Sequence, residues 1–139
     1  MNCPNTNKPA TKHCYSTIGL KKVNLKKVHI SKMTGKLIGL NAISTNTTTN
    51  EFCIKQFLSD KDTICKNCYS HIMLNSYRKN MQACLQRNSD LLSTSILHQQ
   101  QLPTILDLYF RFQAHGELIN DIHFINLITF FGYLVFRDF

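Results

Sequence analysis

The first 50 residues contain no aspartate or glutamate. They hold eight lysines, at positions 8, 12, 21, 22, 26, 27, 32 and 36, whereas all eight acids of the chain lie from Glu51 onward and the formal charge is +8. Without counter-charges, this half presents a positive surface that attracts phosphate backbones and other anions, or else forms a solvated, solubilising face. Long apolar runs are also lacking. The most apolar stretch, 124–136, is shorter than the roughly 20 residues a membrane span needs and contains Asn126 and Thr129, so no membrane span is expected. The polar start, MNCPNTNKPATKHC, has no apolar run before a small-residue cleavage site. A cytoplasmic location follows as the expectation, and thiols stay reduced there. No glycine-rich phosphate loop, no Ser-His-Asp spacing and no His-Glu-x-x-His helix is found, which sets aside three large enzyme classes.

The chain has 139 residues, the size of one domain, and an apolar share of 43%, enough for a core. Residues 1–21 read as an irregular basic segment, and 22–139 as a single α/β domain. Alternation of Val23, Leu25, Val28 and Ile30, a turn at Met33-Thr34-Gly35-Lys36, then Leu37 to Ile43 predict a β-hairpin over 22–43. The polar run 44–50 reads as a loop, and 52–68 as a loop or short helix that carries cysteines. Met73, Tyr77, Met81, Cys84, Leu85, Leu91 and Leu92 form one helical stripe, predicting a helix over 69–92 and placing Cys84 in the core. Residues 104–114 read as a strand with Leu106, Leu108, Phe110, Phe112 and Ala114 on its apolar face. A turn at His115-Gly116-Glu117, a helix over 118–128 and a final strand over 133–136 follow. The fold class is therefore α/β, with α+β left open. An N-terminal hairpin precedes βαβα units, as in a fragment of a partial barrel or a small parallel sheet. In such sheets sites lie at the carboxyl ends of strands, which gathers the cysteine loop and the His115-Gly116-Glu117 turn at one end.

Cys65-Lys66-Asn67-Cys68 is a C-x-x-C, with Cys53 twelve residues upstream on the same loop. Six cysteines in a reducing compartment point to a metal or cluster rather than disulfides, and three thiolates suit iron–sulfur or zinc. His71 is the candidate fourth ligand for zinc. A thioredoxin-like pair and plain buried thiols are the competing readings. Cys3 and Cys14 are expected to do nothing.

The run 40–92, with Cys53, Ile64-Cys65-Lys66-Asn67-Cys68-Tyr69-Ser70, Arg78 and Asn88, resembles the phage gene product 88 family. That family is similar to phage relatives of radical S-adenosylmethionine enzymes, and the chain looks like a short or truncated member. The stretch 110–118 resembles the family's second region, a strand ending in a Gly-acid pair. The resemblance implies that Cys53, Cys65 and Cys68 hold a four-iron four-sulfur cluster, that Tyr69 packs beside it, and that Gly116 and Glu117 sit near the amino group of S-adenosylmethionine. Arg111, Gln113 and His115 would line the site. The gap of eleven residues between Cys53 and Cys65 departs from the C-x-x-x-C-x-x-C spacing of the radical enzymes.

Two functions follow as expectations. One is an iron–sulfur or zinc protein of the radical type, whether still catalytic or degenerate. The other is a small basic phage protein that binds nucleic acid or a host nucleoprotein, for example an inhibitor of a CRISPR-type defence nuclease, through Lys21, Lys22, Lys26 and Lys27.

Overall fold

The computed structural model describes residues 25–106 and 109–136. Lys21, Lys22, Cys3, Cys14 and the segment expected to be irregular lie outside them. Ser31–Lys32 (β1) and Asn41–Ile43 (β2) pair antiparallel, with Ser31 opposite Ala42 and Lys32 opposite Asn41. A 3-10 turn at Gly35–Leu37 joins them, and Met33 N–H donates to Leu40 O at 2.9 Å to close the hairpin. A hairpin is present around the expected turn, but its ladder is short: residues 25–30, expected in its first strand, are not strand, and only Ser31–Lys32 pairs with β2. Phe110–Phe112 (β3) pairs parallel with the other edge of β2, in the register Asn41–Phe110, Ala42–Arg111, Ile43–Phe112.

Parallel neighbours need a crossover, and here it is helical. It contains Glu51–Phe57 (α1), Tyr69–Ser76 (α2) and Lys79–Thr94 (α3); Asp121–Phe136 (α4) follows β3. The result is a mixed α/β architecture with a small three-stranded sheet. Val28, Ile43, Leu92, Leu97, Ile105 and Phe130 form the main core, against which Phe110 and Phe112 pack. The three phenylalanines meet edge to face at centroid distances of 5.3 to 5.9 Å, an arrangement that their ring quadrupoles favour. Met73, Leu74 and Leu85 make a second cluster, with Met81 against it.

Several elements differ from the sequence reading. The single helix expected over 69–92 is broken at Tyr77-Arg78. Both Tyr77 N and Arg78 N donate to Met73 O at 3.2 Å, and the Ser76 hydroxyl bonds back to Ile72 O at 2.7 Å. The break brings Leu74 of α2 against Leu85 of α3, a contact that a continuous helix cannot make. Cys84 is only half buried and its sulfur accepts from Arg87 at 3.0 Å. Of the expected strand over 104–114, Phe110–Phe112 forms the ladder, and upstream Ile105 is buried while Leu106 is 84% exposed, the reverse of the expected faces. Among the described residues of 104–109 no ladder pairing holds the chain, so strand alternation does not set their faces. Residues 133–136, expected as a strand, are the last turn of α4.

Helix α4 starts where Asn120 caps it, its side-chain oxygen accepting from His123 N at 3.0 Å, with Asp121 in the first turn. It turns His123, Asn126 and Phe130 inward and leaves Phe124, Ile125, Ile128 and Phe131 exposed. Asn126 is satisfied by Leu97 N, Leu92 O and Ser95 O at 2.8 to 2.9 Å, tying α4 to the end of α3. No helix among the described residues is long and apolar enough to cross a membrane.

Candidate functional site

The carboxyl ends of β2 and β3 lie side by side. Gln113 N donates to Ile43 O at 2.9 Å, and Thr45 N to His115 O at 3.0 Å, extending the pairing past the ladder. Into this junction runs the polar segment 44–50, which is a loop as expected. It is a buried one: Ser44, Thr45, Asn46, Thr47 and Asn50 are each at most 4% exposed. Buried polar groups are tolerated only when paired, and these are. Asn46 N donates to Ser89 Oγ at 2.9 Å, its amide reaches Gln86 at 2.8 Å, and Gln82 bonds Thr48 at 2.7 Å. Asn88, fully buried, accepts from His29 N and donates to the carbonyls of His29 and Ser44 at 2.8 to 3.0 Å.

Gly116 has φ +77°, and a Cβ there would lie 2.8 Å from Thr45 O and nearer still to its hydroxyl. Its N–H donates to Thr47 Oγ1 at 3.0 Å; Thr47 meets Ser70 Oγ at 2.7 Å, and Ser70 meets His115 Nδ1 at 2.8 Å. Burial first, then the charges of Arg111 and Arg78, push His115 below the ordinary histidine value. This favours the neutral ring, whose Nδ1 shares a hydrogen bond with Ser70. His123 is held down to about 4 by burial. Ile119 N donates to its Nδ1 at 3.2 Å, so Nε2 carries the proton. The Gln113 amide lies 3.2 Å from that Nε2 and 3.3 Å from Thr45 Oγ1. Both contacts are satisfied with the amide oxygen toward His123 and its nitrogen toward Thr45, which leaves the Thr45 hydroxyl free to donate to Glu117 O at 3.4 Å.

The cysteines flank this hub. Cys53 sits in the first turn of α1, where the Asn50 cap accepts its N–H at 3.0 Å while the Asn50 amide reaches Glu117 O. Cys65 lies on the 3-10 turn Ile64–Asn67, and Cys68 is the residue at which α2 begins. Cys53 is raised to about 11, by burial first, then by the Glu117 carboxylate, then by Cys68 and Cys65. Cys53 thus lies within the electrostatic reach of Glu117, Cys68 and Cys65. As donors, three thiols fit a soft metal. In position they are not drawn to coordination distance: among the described residues no three His, Cys, Asp or Glu side chains form a metal-holding group. His71, one helical turn after Cys68, stacks on Phe57 of α1 at 3.9 Å, and its Nδ1 is buried without a hydrogen-bond partner.

The residues read as a cofactor lining divide. Gln113 and the Gly116 amide are taken up by internal hydrogen bonds, Glu117 faces toward Cys53, and Arg111 is exposed on β3. Tyr69 and His115 line a separate cavity that none of the three cysteines lines. Lys26 and Lys27 are exposed and line a groove of about 950 Å³ together with Arg87 and Asp90. Sequence reasoning missed the buried hub. Its signal is the stripe Gln82, Gln86, Ser89, Ser93 at helical spacing on α3, a polar face matched to a polar segment. Comparison of the chain with protein-family models, with curated proteins and with solved structures finds no match.

Proposed function

We propose that the protein is a thiolate metalloprotein in which Cys53, Cys65 and Cys68 hold one iron–sulfur or zinc centre. The observation that supports this is the placement of three free cysteines on neighbouring elements, Cys53 on α1, Cys65 on the 3-10 turn that packs against α1, and Cys68 at the start of α2, with the charges of Cys65, Cys68 and Glu117 all felt at Cys53. A cluster would use the three cysteines and leave one iron for an exogenous ligand. Zinc would recruit His71, whose unpartnered Nδ1 supports that version. A radical S-adenosylmethionine activity, full or degenerate, is the catalytic form of this proposal that the resemblance implies. Protein prepared without oxygen is expected to contain iron with sulfide, or one zinc, and to lose the metal in Cys65→Ala and Cys68→Ala. Zinc binding is expected to fall in His71→Ala as well. Metal-free protein that takes up neither iron nor zinc on reconstitution overturns the reading. Added S-adenosylmethionine that is neither bound nor cleaved under strong reductant removes the radical version.

The second reading is nucleic-acid or nucleoprotein binding, including inhibition of a host defence nuclease. Its support is the exposure of Lys26 and Lys27 along one groove with Arg87. Retardation of nucleic acid in a gel is expected at low salt, weakening with a log–log slope of about −0.7 to −0.9 per phosphate contacted. Lys26→Gln with Lys27→Gln should flatten that slope. No retardation at low salt removes this partner.

A further inference from the structure

We propose that the cavity between the hairpin, the α2–α3 break and the loop after β3 binds a small oxyanion ligand carried on an apolar body. The inference goes beyond the metal centre and is independent of it, since no proposed ligand lines this space. The cavity has a volume of about 590 Å³. Lys32 comes to it from β1, Arg78 from the break between α2 and α3, and His115 from the turn after β3, positions far apart in sequence. Asn80 lies beside them, and among the described residues no aspartate or glutamate lines the cavity. The floor is apolar, with Met73 4% and Leu85 0% exposed.

Gathering cations without a counter-charge is unfavourable, and the repulsion is felt inside the site: Arg78 is one of the charges that disfavour protonated His115. An anion bound there reverses that cost. The hydrogen-bond chain from Gly116 through Thr47 and Ser70 occupies His115 Nδ1, leaving Nε2 as the ring nitrogen for a ligand, a donor when Ser70 donates to Nδ1. The Arg78 guanidinium offers a planar fork suited to carboxylate or phosphate. It lies over the Tyr77 ring, 5.9 Å from its centroid, which restricts its range. The site therefore combines two charges, an imidazole and a greasy floor, a pattern suited to an aryl or alkyl phosphate or carboxylate.

The experiment is a titration of the full chain with phenyl phosphate, benzoate and inorganic phosphate at constant ionic strength, read by the side-chain NMR resonances of His115 and Arg78. Benzyl alcohol is the neutral control. Saturable shifts are expected with phenyl phosphate or benzoate, the tighter of the two naming the charged group, and weaker binding with inorganic phosphate. Lys32→Gln and Arg78→Gln change exposed side chains, and each is expected to weaken binding about tenfold, the scale of one charge-assisted hydrogen bond. Lys26→Gln with Lys27→Gln, in the other groove, should leave binding unchanged. Failure of both aromatic anions to saturate, equal response to benzyl alcohol, or equal loss in the Lys26/Lys27 variant overturns the proposal.

Discussion

Gly116 sits where two constraints meet. Its positive φ disfavours any L side chain, and its Cα faces the Thr45 backbone with no room for a methyl. Gly116→Ala is therefore expected to cost about 1–3 kcal/mol from backbone strain alone, and more from the overlap. Denaturant melts would show the loss, and a change under about 0.5 kcal/mol would count against this geometry. The sequence made Gly116 visible as part of a Gly-acid turn, but attributed it to cofactor contact. Its immediate role in the fold is to let the chain after β3 approach the segment after β2. Asn88 tells the same story. In sequence it is one polar residue near an apolar stripe; in the fold its amide joins the chain before β1, the end of β2 and α3.

At the scale of elements, the legible parts were those governed by local chemistry. The Gly35 turn, the amphipathic stripe and the caps before α1 and α4 are written in neighbouring residues, so the hairpin, α3 and the helix after Gly116 were foreseeable. The break at Tyr77-Arg78 was not, because the apolar stripe passes through it without interruption and tertiary contacts between Leu74 and Leu85 decide the matter. Nor was the end of α4, where apolar residues rich in Phe and Val suit a strand as well as a helix. Helix α4 also inverts the usual rule, with buried His123 and Asn126 inside and Phe124, Ile128 and Phe131 outside. Adjacent phenylalanines should then behave differently. Phe130→Ala, in the aromatic cluster, is expected to cost about 3–5 kcal/mol. Phe131→Ala should stay within about 1 kcal/mol. Thermal melts of the two variants make the comparison, and similar losses would contradict the assigned faces.

For the whole molecule, the buried histidines set the acid limit. His123 titrates at about 4 in the fold against 6.5 for the ordinary side chain. The unfolded chain takes up its proton first as pH falls, so the stability linked to neutral His123 is complete above about pH 6.5 and drains away toward pH 4. Between about pH 7.5 and 4.5 the loss should be on the order of 2–3 kcal/mol. His115, also lowered, adds in the same direction. Urea unfolding at both pH values checks this, and His123→Gln should flatten the slope; an unchanged slope would remove His123 as its source. The segment that leads into α1 and the Gly-acid turn after β3 do come together, where the Asn50 amide bonds Glu117 O. What composition concealed was the material between them, since Ser, Thr and Asn look alike whether they face water or each other.

That concealment has a practical edge. Residues 44–50 carry the composition of an expendable linker, and an engineer choosing where to insert a tag, graft a peptide or swap in charge would pick them early. Each such edit would strand partners on α3 and beyond the third strand, so this modest threonine-rich stretch should tolerate alteration less well than much of the greasy outer surface of the last helix.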